Sequence, residues 1–122
     1  MLVLSAVLTF FIGLAHSYLG EKFILIRLFQ INNIPKIMGS DWFTKQVLRF
    51  AWHLTTVAWW GFAAIMLVVY NEGNNQNSLL FIISIVFGIS GIFALLFSKG
   101  KHLSWIVFFT IGGICLYLVL YS

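Results

Sequence analysis

The side chains that could carry chemistry are few, and several gather in two short segments. The histidines are His16, His53 and His102, the carboxylates Glu21, Asp41 and Glu72, and the single cysteine is Cys115. His16 and Glu21 bound the segment HSYLGE, and Arg49 and His53 bound RFAWH. Two neutral imidazoles on facing helices could ligate a haem iron or a divalent metal. An imidazole beside a carboxylate could relay a proton, because it titrates near neutrality. Arginine and histidine together could hold the polar head of a quinone, a lipid or a small anion, with Trp52, Trp59 and Trp60 packing against its rings. The sequence therefore nominates His16, Glu21, Arg49, His53 and Trp60 as a ligand or cofactor site, with His16 and His53 as its metal-ligating pair. The plainer reading is that histidines near an interface reach headgroups, that Arg49 snorkels, and that paired tryptophans fill space.

Other chemistries lack their residues. No HExxH, CxxC or paired-carboxylate pattern supports a metal centre, and one cysteine allows no disulfide framework. Asp41 is the only aspartate, placed to cap a helix, so no Ser/His/Asp arrangement can be assembled. No phosphate-cradling glycine loop is present. Four spans in a chain of this length resemble the small multidrug transporters. Their first helix carries a mid-span Glu, however, where this chain has Thr9, Phe10 and Phe11, so the likeness stops short of the chemistry.

The elements that must position these residues are written in the composition. The chain has 122 residues, 61% hydrophobic and only 8% charged, against roughly 25% charged for a soluble domain. Disorder and water-soluble nucleic-acid binding are excluded by the same figures. Apolar runs cover Leu2 to Leu19, Phe50 to Tyr70, Leu79 to Ser98 and Leu103 to Tyr121. About 20 helical residues cross a hydrocarbon core about 30 Å thick. Continuous runs, not ten-residue alternation, choose helices over a barrel. The expectation is an all-α integral membrane four-helix bundle forming one domain over 1–122.

All 7 basic residues fall on the first and third connectors or their edges, and the second holds only Glu72. The positive-inside rule puts those two connectors in the cytoplasm, both termini outside, and the chain in the cell membrane as a multi-pass protein. The first run has no basic residues ahead of it, so it reads as an uncleaved anchor. The long connector 20–45 contains an apolar stretch, Glu21 to Ile31, which predicts either a helix lying in the interface or an overhang of the first span. Pro35 ends any helix before the second span.

Small and polar residues mark contact faces in lipid. Ser5, Thr9, Gly13, His16 and Gly20 align on the first helix; Gln46, Arg49, His53, Thr56 and Trp60 align on the second. The two histidine-bearing stripes are expected to face each other, with Arg49 and Glu21 paired nearby. The third helix carries Ser84 with Gly88, and Ser90 with Ala94 and Ser98. These faces suit central packing, or contact with a second copy or other membrane subunits. The functional expectation is a ligand- or cofactor-binding membrane protein. Its alternatives are an accessory subunit of a larger complex and, more remotely, an oligomeric transporter.

Overall fold

The computed structural model describes residues 1–121, and among them every long element is a helix. Four helices are long and apolar enough to cross a membrane: α1 (Leu2–Leu28), α2 (Trp42–Glu72), α3 (Gln76–Ser98) and α4 (Ser104–Tyr121). The chain has the form of a multi-pass membrane protein. Its outer surface agrees, since Leu8, Phe11, Phe62, Leu96 and Leu120 are all more than half exposed. Water would penalise such a surface, whereas lipid tails solvate it.

The first helix takes the overhang form of the sequence expectation, with one difference in its backbone. Leu2–Leu19 is α-helical, Gly20–Leu25 widens into a π-helical turn, and Ile26–Leu28 resumes the α form. No separate interfacial helix forms; Glu21 and Lys22 extend the first helix, as the overhang reading requires. The second helix starts eight residues earlier than the apolar run, at Trp42 rather than Phe50. Ser40 Oγ accepts the Trp42 backbone N–H at 3.4 Å, while the Asp41 carboxylate turns away to Lys45 Nζ at 2.9 Å. Thr44 Oγ1 donates to the Pro35 carbonyl at 2.8 Å, tying the connector to the new helix. At the other end Asn75 accepts the Ser78 N–H as the N-cap of α3.

The helices pack in chain order. α1 lies on α2, α2 on α3 and α3 on α4, while α1 packs closely on neither α3 nor α4. The bundle is therefore open. Its accessible surface is 7756 Å², against about 6,700 Å² for a soluble globule of this mass. Small residues set each seam. Gly61 sits under Val86 between α2 and α3, and Gly91 under the Phe109 ring between α3 and α4. Ser84 Oγ donates to the Gly112 carbonyl at 2.9 Å, and a Cβ on Gly112 would come within 3.1 Å of the Ser84 carbonyl oxygen.

Among the small residues of the third helix, Ser84, Ser90 and Ala94 are buried within the chain, while Gly88 is half-buried with open space where a Cβ would lie. The central-packing use is seen where Ser84 bonds to Gly112 of α4.

Candidate functional site

Antiparallel packing of α1 on α2 brings HSYLGE and RFAWH side by side, so that His16, Ser17, Gly20 and Glu21 meet Trp52, His53 and Arg49. The π-helical turn lies at the centre, a feature often associated with functional sites. At Gly20 the Trp52 indole lies so close to the α1 backbone that a Cβ would overlap it. The indole Nε1 passes over this gap and donates to the His16 carbonyl at 2.9 Å. The His16 ring lies flat on the same indole, with centroids 4.6 Å apart and planes 2° off parallel. Its Nε2 is 3.3 Å from the Trp52 carbonyl, and Trp59 closes its other flank with centroids 4.9 Å apart.

One residue further along each helix, a polar ladder begins. Arg49 Nη2 donates to Glu21 Oε1 at 2.8 Å, and Arg49 Nε to Oε2 at 3.3 Å. The second carboxylate oxygen also receives His53 Nε2 at 3.0 Å. The other imidazole nitrogen, Nδ1, is 2.9 Å from Ser17 Oγ, which is 2.6 Å from Thr56 Oγ1. Thr56 Oγ1 reaches the Gly13 carbonyl at 3.3 Å. Ser17 and Glu21 are four apart on α1, so one helix face holds both nitrogens of the same ring. The Arg49 guanidinium rests 4.9 Å above the Phe29 ring, which covers its other side.

The ladder accommodates two proton counts without moving a heavy atom. With His53 neutral, Nε2–H donates to Glu21, Nδ1 accepts from the Ser17 hydroxyl, and Ser17 accepts from Thr56. With the ring protonated, both N–H groups donate, Ser17 turns to Thr56, and Thr56 turns to the Gly13 carbonyl. Every donor has an acceptor in each state. Arg49 and Glu21 cancel formally, so the ladder presents hydrogen-bonding capacity but no net charge while His53 is neutral.

Of the residues nominated from sequence, Glu21, Arg49 and His53 form one network, and the Arg49–Glu21 pair is present. The meeting of the two imidazoles is not: His16 is held by Trp52 and Trp59, while both ring nitrogens of His53 face Ser17 and Glu21. No contact joins the His16 and His53 rings, and no cluster of three or more His, Cys, Asp or Glu side chains exists among the described residues. Trp60 stands apart from the ion pair. Its Nε1 donates to the Phe10 carbonyl at 3.1 Å, and its ring stacks on Phe10 at 5.4 Å. His102 sits between the rings of Phe43 and Phe50, with Nδ1 2.7 Å from Ser104 Oγ. Sequence reasoning missed Ser17, whose spacing of four from both Gly13 and Glu21 was the available signal.

The ladder's inner end opens on a groove. Ser17, His53 and Thr56 share a cavity of about 220 Å³ with Val57, Trp60, Phe93 and Phe97. Val57, Trp60 and Phe93 also line the adjoining channel of about 280 Å³ between α2 and α3, whose remaining walls are Gly61, Ala64 and aliphatic residues of α3. Compared with known proteins, the chain matches no family model, no curated protein and no solved structure.

Proposed function

We propose that this protein binds a lipid-soluble small molecule of the quinone class, a neutral oxygen-bearing head on an apolar chain, in the groove over Trp60. The protein would lie in the cell membrane with its basic end in the cytoplasm. The head meets Ser17 and His53, between Phe97 and Trp60, and the chain follows the α2–α3 channel. One observation carries this reading: the cavity into which Ser17, His53 and Thr56 face adjoins an apolar channel with which it shares Val57, Trp60 and Phe93, so the two together suit an amphiphile with a small polar head. The two compartments together fall in the roughly 300–1,000 Å³ range of ligand sites. A neutral head is favoured because Arg49 and Glu21 satisfy each other's charge. A carbonyl oxygen on the head would accept from the half-buried Ser17 hydroxyl in the state where His53 Nδ1–H donates to Ser17 and Thr56 donates to the Gly13 carbonyl. The Ser17 proton then turns from Thr56 to the ligand, and His53 stands behind it as the proton donor. Haem and metal drop out of the proposal because the histidines they would need take separate partners.

The test is direct. Purified protein should carry quinone detectable by absorbance and mass spectrometry of its extract, or, once stripped, be stabilised by an added short-chain quinone. Ser17→Ala should weaken that binding about 5- to 10-fold, the equivalent of one hydrogen bond. Val57→Trp should block it by filling the groove while leaving the ladder intact. A stripped protein that neither melts higher nor binds with added quinone, and extracts free of it, would end the proposal.

A further inference from the structure

The turn joining α3 to α4 carries a second polar site, which shares no residue with the groove. Lys99 closes α3 in the left-handed conformation, with φ 51° and ψ 40°, a backbone state that an L-residue enters only when its surroundings impose it. The surroundings do so here. Gly100 N–H donates to the Leu95 carbonyl at 2.9 Å and Lys101 N–H to the Ser98 carbonyl at 3.1 Å. Trp105 Nε1 donates to the Gly100 carbonyl at 3.2 Å, and Ser98 Oγ accepts the His102 N–H at 3.2 Å. This pinned turn aims two ammonium groups at one indole. Lys99 Nζ is 5.1 Å and Lys101 Nζ 5.3 Å from the Trp42 ring centroid.

Both ammonium groups are exposed, and no carboxylate pairs with either: the ion pairs among the described residues are Lys45–Asp41, Arg49–Glu21 and His53–Glu21. Asp41, next to Trp42 in sequence, is taken by Lys45. The Trp42 indole N–H has no acceptor among the described residues. Two ammonium groups thus share one indole at the start of α2, at the polar end of two candidate spans, where a headgroup layer would lie. A phosphodiester offers oxygens to both ammonium groups and one more to the indole N–H, and the half-buried Trp42 ring would face the glycerol and upper acyl carbons.

We infer that Lys99, Lys101 and Trp42 form a binding site for the phosphodiester of an anionic glycerophospholipid. The site owes nothing to the groove ligand, so the two readings stand or fall separately. The experiment titrates the delipidated full chain in detergent with phosphatidylglycerol and, separately, phosphatidylcholine of the same chain length, and counts bound lipid by native mass spectrometry. One phosphatidylglycerol should bind more tightly than phosphatidylcholine. At about 1 kcal/mol per lysine near a headgroup, Lys99→Gln or Lys101→Gln should lower that affinity about 5-fold and the double variant about 30-fold. Trp42→Phe, which keeps the ring and removes the N–H, should cost up to about ten-fold. Lys22→Gln with Arg27→Gln removes the same charge from the same end and should leave the affinity unchanged. Three results would each overturn the inference: equal binding of the two lipids, an equal loss in the Lys22/Arg27 variant, or full displacement of the lipid by millimolar inorganic phosphate.

Discussion

Replacing Gly20 by Ala tests the joint on which the whole site rests. A Cβ at this position falls inside the Trp52 indole, so the ring must swing away, and it takes with it the 2.9 Å bond from Nε1 to the His16 carbonyl. Overpacking of this kind costs about 1–3 kcal/mol, and the lost hydrogen bond about 1 kcal/mol. Against these, Ala is preferred over Gly in a helix by about 1 kcal/mol. The net expectation is a loss of about 1–3 kcal/mol, read as a shifted unfolding midpoint in mild detergent followed by circular dichroism. The sign should depend on the neighbour. In a Trp52→Ala background the clash disappears and only the helix preference remains, so Gly20→Ala should stabilise by up to about 1 kcal/mol. The coupling between the two sites is then about 2 kcal/mol or more, well beyond the ~0.5 kcal/mol within which independent sites add. If Gly20→Ala has the same effect in both backgrounds, the close approach of α1 and α2 at the π turn is wrong, and with it the alignment of Ser17 and Glu21 on His53.

Three further outcomes follow from the geometry. Breaking a buried ion pair costs about 3–5 kcal/mol. Arg49 and Glu21 are 30% and 29% exposed, so screening should reduce the coupling in a Glu21→Gln, Arg49→Gln double-mutant cycle to about 1–2 kcal/mol; additive melting shifts would contradict the pair. Gly112→Val should part α3 from α4, because its side chain must occupy space beside the Ser84 carbonyl, and limited proteolysis should then release the C-terminal helix while α1 and α2 stay protected. Lys45, chiefly through its hydrogen bond, holds the Asp41 carboxyl below its ordinary value of 3.8. A lowered folded-state value means that the stabilisation is complete above that ordinary value and is lost as pH falls through the lower one. The protection of the Lys45 amide, which donates to the Asp41 carbonyl at 3.0 Å, measured as its exchange relative to the intrinsic rate at each pH, should fall below about pH 4 in the native chain and stay constant in Asp41→Asn.

The spans were legible because their cause is compositional: an apolar run long enough to cross lipid has few other ways to satisfy its backbone. The Arg49–Glu21 pair was legible for a related reason, since ionisable groups at similar depth seek one another. The choice between His16 and Ser17 was not. These neighbours stand about 100° apart on α1, as Trp52 and His53 do on α2, and a helical wheel cannot tell which of each pair turns toward which. The structure matches them in step: His16 stacks on Trp52 and Ser17 bonds to His53. The π-helical turn was equally hidden, because a widened turn alters backbone register without changing the apolar pattern that reveals a helix.

The openness of the bundle and the polarity of the ladder explain each other. A closed arrangement would bring α1 and α3 together over the face of α2 that bears His53, Thr56, Val57 and Trp60. The Ser17 and His53 side chains would then be sealed in, fully paired, as a structural staple. Because each helix packs only on its chain neighbours, that face keeps an opening, and the half-buried Ser17 hydroxyl and His53 ring form its polar edge. The ladder thus bridges the α1–α2 seam and at one end also faces the groove, the edge that the proposed quinone site would use.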